Sequence, residues 1–155
     1  MVWGKTDRHK TGPRRGPLIP SDTMSYVTSL YHVVFTTYCR RPAIDNTHRD
    51  DLYHVLASEI RACKSKAHII GGVQDHLHIL LSLSPQVALS NLMREIKSKS
   101  SVWAKECGMF PLFEGWEREY GAFSLSYGHR DAVYDYIASQ QKHHDTISLD
   151  DEYRR

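Results

Sequence analysis

An α+β domain, with an antiparallel sheet and helices packed against one face, is the architecture that this sequence predicts. Three observations carry it. Short runs rich in β-branched and aromatic residues alternate with longer stretches whose apolar residues recur every three or four positions. Their order along the chain is β-α-β-β-α-β-α, with two strands close enough together to form a hairpin. Pro42 and Pro85 fall just after predicted strands, where a residue without a backbone donor ends a ladder. That order is close to a ferredoxin-like split-βαβ arrangement, extended by a C-terminal helix.

The elements follow in order. Residues 1–23 carry Lys5, Arg8, Lys10, Arg14 and Arg15 among glycines and prolines, with little to bury, and read as a flexible basic tail before one domain over 24–155. A contact to phosphates, a start upstream of Met24 and a remnant of cloning all remain open for that tail. Tyr31 to Tyr38 reads as a strand, ended by Arg40-Arg41-Pro42. Asp45 or Asn46 can cap a helix whose stripe is Leu52, Val55, Leu56, Ile60 and Cys63. Ala67 to Val73 and His76 to Leu83 are two more strands joined through Gln74-Asp75. A second helix from about Ser90 has Leu89, Leu92, Met93, Ile96 and Trp103 on its buried side and Arg94, Lys97 and Lys99 on the other. Trp116 to Tyr127 reads as a final strand punctuated by Gly121, and a last helix runs from about His129 to His144. No internal repeat is present.

Composition excludes more than it identifies. A net charge of +2 neither demands nor forbids a nucleic-acid partner; clustering of the basic residues would decide. Cys39, Cys63 and Cys107 are odd in number and widely spaced, which fits neither a disulfide framework nor a paired zinc motif and points to a reducing compartment. No apolar run approaches the ~20 residues needed to span a bilayer, and the N-terminus lacks the apolar core of a secretory signal. A cytoplasmic location, without a membrane partner, is the expectation. Histidine is abundant, at 10 residues, and imidazole serves as metal ligand and proton carrier alike.

Two of those histidines share a strand. His76 and His78 are two apart, so both point to one face while Leu77 anchors the other. Two imidazoles on a rigid strand make a two-toothed metal clamp. An H-x-H pair is equally what two half-buried polar residues on a sheet look like, so a third ligand is needed before metal binding becomes the better account. Asp75, at the strand entrance, is near enough to orient a ligand, although strand alternation aims it away from the pair. On the last helix Tyr136 and Gln140 stand at i and i+4, on one face. Gln140 offers an amide oxygen. Two imidazoles and an amide leave coordination positions open, as suits Mg²⁺ or Mn²⁺ holding a phosphate better than structural zinc. Tyr136 would then sit beside that phosphate as a nucleophile whose phenolate, with an ordinary pKa of ~10, needs stabilising. A single tyrosine on a helix with Val133 and Ile137 is more often core. Tyr134 competes for the role but does not share the face of Gln140. His143 and His144 fit solvated residues at a favourable helix end.

Together these residues resemble the single-tyrosine HUH transposases, the IS200/IS605-like enzymes and their relatives associated with repetitive extragenic palindromes. The resemblance runs through Tyr31-His32-Val33-Val34-Phe35, Asp75-His76-Leu77-His78-Ile79-Leu80-Leu81, Ile96-Lys97-Ser98-Lys99-Ser100-Ser101, and Trp116-x-x-x-Tyr120-Gly121-Ala122-Phe123-Ser124. It ends with Tyr136-Ile137, Gln140 and His143-His144, and spans roughly residues 26–153. It implies a divalent metal on His76, His78 and Gln140, and attack by Tyr136 on a DNA phosphate to leave a 5′-phosphotyrosine and a free 3′-OH. It further implies a split-βαβ fold, recognition of hairpins in single-stranded DNA, and homodimers in which one subunit's tyrosine helix completes the histidine site of the other. The basic tail before Met24 lies outside the pattern. DNA contacts would fall on Arg94, Lys97 and Lys99 of the second helix and on Arg40 and Arg41, with Tyr120, Phe123 and Tyr127 available for stacking. Two other functions fit the same residues: a hairpin-binding protein without catalysis, domesticated from such an enzyme, and a metal hydrolase that uses water as nucleophile.

Overall fold

Strand pairing follows from which residues alternate. β1 (Leu30–Thr36), β2 (Lys66–Gly72), β3 (His76–Ser82) and β4 (Gly121–Leu125) form a single antiparallel sheet in the order β2-β3-β1-β4. This computed structural model describes residues 27–140, so the basic tail, His143 and His144 lie outside the described residues. Among the described residues there are three α-helices with assigned bounds: α1 (Arg49–Ala62), α2 (Leu89–Glu106) and α3 (Arg130–Ala138).

The period of two sorts the side chains. Val33 and Phe35 of β1 and Leu77, Ile79 and Leu81 of β3 join Leu52, Leu56 and Ile60 of α1 and Leu92, Met93, Ile96 and Ala104 of α2 in one buried cluster. Each fully buried Leu or Ile there stabilises the fold by about 1.5–3 kcal/mol, so this layer supplies most of the driving force. Val34, His76, His78 and Leu80 fall on the opposite face, and α3 lies across that face. The expected helices on one face are therefore α1 and α2, and among the described residues α3 is the helix on the other.

Three boundaries differ from the sequence reading. The long final strand is shorter: Trp116 makes only an isolated bridge to Thr37, and the ladder resumes at Gly121. Lys97 Nζ donates to the carbonyls of Arg118 (2.9 Å) and Glu119 (3.3 Å), which takes those groups out of the sheet. Asp45 does not cap α1. It accepts from Thr47 N–H (3.1 Å) and His48 Nδ1 (2.8 Å) in the preceding turn, and His48 becomes the N-cap. α3 is interrupted at Ser139, whose N–H closes on the carbonyls of Asp135 and Tyr136; Gln140 is helical again, and the rest of the expected helix to His144 lies outside the described residues.

Candidate active site

The hairpin between β2 and β3 delivers the histidines. Thr37, at the end of β1, donates its backbone N–H to the carbonyl of Asp75 (2.9 Å), and Ile44 N–H donates to that of Gln74 (2.9 Å), so the turn is tied down from outside. His76 and His78 follow with their side chains 1% exposed and their ring centroids 5.1 Å apart. Asp75 lies in the turn rather than in the strand, and its side chain folds back to accept a hydrogen bond from His76 Nδ1 at 2.6 Å. Strand alternation aimed it away; the turn frees it from that rule. The bond to His76 holds the Asp75 carboxyl below the usual carboxylate range against the opposing effect of burial, and the nearby Arg40 adds to the lowering.

α3 brings the phenol. The Tyr136 ring stands edge-on to His78, centroid to centroid 5.7 Å and nearly perpendicular at 87°. Tyr134, the competing tyrosine, is 40% exposed on the outer side of the same helix. Gln140 is buried to 1% exposure and its amide nitrogen is inaccessible, as are Nε2 of His76 and Nε2 of His78. The close approach of α3 depends on a missing side chain. Gly71 is the register partner of His78, and a Cβ there would meet the Ile137 carbonyl oxygen at 2.7 Å and its Cγ2 at 2.8 Å. A cleft of about 320 Å³ opens beside Gln140 at the free edge of β2, bordered by Arg49, Tyr53, Gly71 and Ile137.

One neighbour of the pair was missed by the sequence reading as a site residue. His32 of β1 has its Nε2 3.0 Å from His78 Nδ1, and its ring is edge-on to Tyr136 at 5.9 Å. The signal was present, since His32 shares the β1 face of Val34, which pairs with His78. It became visible only with the register.

The donor set fits an open divalent site. Among the described residues, no three His, Cys, Asp or Glu side chains gather around a point that could hold a metal. Two imidazoles with an amide are the set on offer. With Nδ1 of His76 committed to Asp75 and Nδ1 of His78 to His32, the nitrogen each ring can turn to a ligand is Nε2. Such a set, short of the four ligands of structural zinc, leaves room for phosphate oxygens on Mg²⁺ or Mn²⁺.

The sequence of residues 25–140 matches the family model described as IS200-like transposase. The chain belongs to the IS200-like transposase family. Two solved structures share the transposase fold. One is a candidate transposase from Deinococcus radiodurans R1, 21% identical, covering 76% of this chain and 95% of its own, with a TM-score of 0.60. The other is a tyrosine transposase associated with repetitive extragenic palindromes and bound to a hairpin of that type, 17% identical, covering 83% and 76%, with the same TM-score of 0.60. No curated protein matches the transposase chain significantly in sequence.

The five basic residues singled out for DNA separate into three places. Arg94 and Lys97 line a groove of about 490 Å³ between α2 and residues 114–120, together with Lys105, Arg118 and Tyr120. Lys97 is half-buried there, 5.7 Å from the centre of the Tyr120 ring, and burial pulls its pKa down. Lys99 turns to the other side of α2, where its Nζ meets Glu59 of α1 at 3.0 Å and Glu95 at 3.6 Å. Arg41 pairs with Glu114, and Arg40 follows in a 3-10 turn where Cys39 and Arg40 both take positive φ, 53° and 51°. No helix among the described residues is long and apolar enough to cross a membrane.

Proposed function

We propose that this transposase cleaves and rejoins single-stranded DNA at hairpin-flanked ends, with Tyr136 as nucleophile. The carrying observation is the Tyr136 ring set against His78 of its own chain at 5.7 Å. In the forward step the Tyr136 oxygen attacks phosphorus and the bond to the 3′ oxygen breaks. The products are a 5′-phosphotyrosine and a free 3′-OH: the phenolic proton passes to solvent or to a base at the site, and the departing 3′ oxygen takes up a proton from solvent or that group. Attack by a 3′-OH on the same phosphorus restores the phenol, so the bond energy is retained and no nucleotide triphosphate is consumed. His76, His78 and Gln140 would hold Mg²⁺ or Mn²⁺, which when bound neutralises charge on the phosphoryl oxygens. Asp75 orients His76 and adds negative charge behind it; Arg40, at the rim, offers a cation to the incoming backbone.

Hairpin DNA as partner is supported by the hairpin-bound relative of the same fold. The α2 groove, with Arg94, Lys97 and Arg118 beside the Tyr120 ring, combines the charge and stacking surface that a nucleic acid needs. The tyrosine helix meets the histidines of its own chain, which supports a site built within one subunit. A homodimer would hold two DNA ends, and exchange of that helix between subunits, as in a composite site, is the alternative arrangement.

The decisive experiment incubates the protein and Mn²⁺ with labelled single-stranded DNA from both flanks of its own gene, and resolves covalent adducts on a denaturing gel. A band formed by wild type, lost with EDTA and absent in Tyr136→Phe, is the expected result. Cleavage that persists in Tyr136→Phe would assign the nucleophile to water. A binding shift without any adduct would make the chain a hairpin-binding protein without catalysis.

A further inference from the structure

The two histidines of the pair are backed by different groups. Behind His76 stands the carboxylate of Asp75; behind His78 stands a third imidazole, that of His32. We propose that His32 is a positioning residue that fixes His78 in the tautomer whose Nε2 is the donor atom, an inference that rests on the metal reading above. A neutral imidazole carries a single ring proton, so a bond between two ring nitrogens has one donor and one acceptor. If His32 Nε2–H donates, His78 keeps its own proton on Nε2, where it blocks coordination. If His78 Nδ1–H donates, Nε2 of His78 carries the lone pair that a cation requires, and His32 holds its proton on Nδ1. A cation can bind only in the second arrangement, so the positioning role requires His32 to be the acceptor already in the metal-free protein.

The sheet and its neighbours hold the His32 ring in place. Register sets His32 opposite Leu80, so its ring reaches His78 along the diagonal between strands. The two rings lie edge to edge and nearly coplanar, with centroids 5.2 Å apart and planes 23° from parallel, as a bond between ring nitrogens requires. Phe123 of β4 packs against His32 at 6.1 Å, and Tyr136 meets it edge-on at 5.9 Å. One side chain thus touches both a candidate ligand and the candidate nucleophile.

Mn²⁺ titrations followed by the EPR signal of the free ion test this on the whole protein, with ¹⁵N NMR of the histidine side chains recorded without metal. His32→Ala is expected to weaken Mn²⁺ binding by about 10–100-fold. His32→Gln, whose amide oxygen can accept the same N–H, should recover most of it. In the NMR spectra His78 should be the Nδ1–H tautomer in wild type and a mixture in His32→Ala. Equal Mn²⁺ affinity in wild type and His32→Ala, with His78→Ala clearly weaker, would overturn the role of His32 and leave the metal site standing. If His78→Ala also binds like wild type, the metal reading itself fails. The spectra then decide alone: an Nδ1–H His78 that depends on His32 sustains the positioning role, and an Nε2–H His78 ends it.

Discussion

Asp75 and His76 are neighbours in sequence, and on a regular strand neighbours face opposite ways. They nevertheless meet at 2.6 Å, because Asp75 belongs to the turn and only His76 to the ladder. A carboxylate in that position fixes the ring's tautomer and raises its basicity as a ligand. Asp75→Ala is expected to reduce Mn²⁺ affinity by about 10–100-fold, with Asp75→Asn intermediate because its amide oxygen still accepts from Nδ1. Calorimetric titration with Mn²⁺ gives the ranking; an Asp75→Asn as weak as Asp75→Ala would mean that charge, not orientation, is what Asp75 contributes.

At the scale of elements, the decisive contact is α3 on the β2-β3 hairpin. The helix is short and its hold on the sheet runs through buried Ile137, whose carbonyl occupies the space above Gly71. Gly71→Ala places a methyl group where that carbonyl stands, so α3 must move away from His78 with Tyr136 and Gln140 on board. A displacement near 1 Å at a reacting group costs on the order of 10²-fold in rate. Adduct formation by Gly71→Ala should fall by about that factor, while circular dichroism keeps the wild-type spectrum. Gly128→Ala is the matched control: it lies just ahead of α3, nothing stands within 4 Å of its added Cβ, and its adduct yield should stay at the wild-type level. Wild-type yield from Gly71→Ala would show that α3 does not need this seat.

For the whole molecule, the sheet separates stability from chemistry. One face is sealed by α1 and α2; the other presents His32, His76 and His78 to Tyr136 and Gln140, which α3 and the turn after it carry across the sheet. The basic groups around α2 are divided by what already holds them. Arg94 is largely exposed at the α2 groove and meets Glu95 at 3.7 Å, whereas Lys99 is shared between Glu59 at 3.0 Å and Glu95 at 3.6 Å. Every phosphate that a cationic side chain neutralises adds about 0.7–0.9 to the slope of log affinity against log salt. Arg94→Ala should therefore flatten the salt dependence of hairpin binding by about one such step, and Lys99→Ala should change it less. Filter binding across a range of KCl concentrations separates the two; equal slopes for all three proteins would remove the groove from the DNA path.

Features with a local period could be read from the residues alone. The strand faces, the α1 and α2 stripes and the His76-x-His78 pair follow from spacings of two, three and four, because a side chain's direction is set by backbone geometry a few residues long. The same locality made Tyr136 and Gln140 readable as partners, although Ser139 between them is a turn. Strand register and helix docking were decided by tertiary structure. His32 is 46 positions from His78, and only the pairing of β1 with β3 makes them neighbours. Gly71 reads as an ordinary strand glycine until α3 is laid across it. Lys97 and Lys99 stand two apart on α2 and so diverge on any helix, but that one is drawn onto the carbonyls ahead of β4 and the other onto Glu59 follows only from the packed chain. Interactions between distant segments carry no period, so they enter the physics only when the chain has closed.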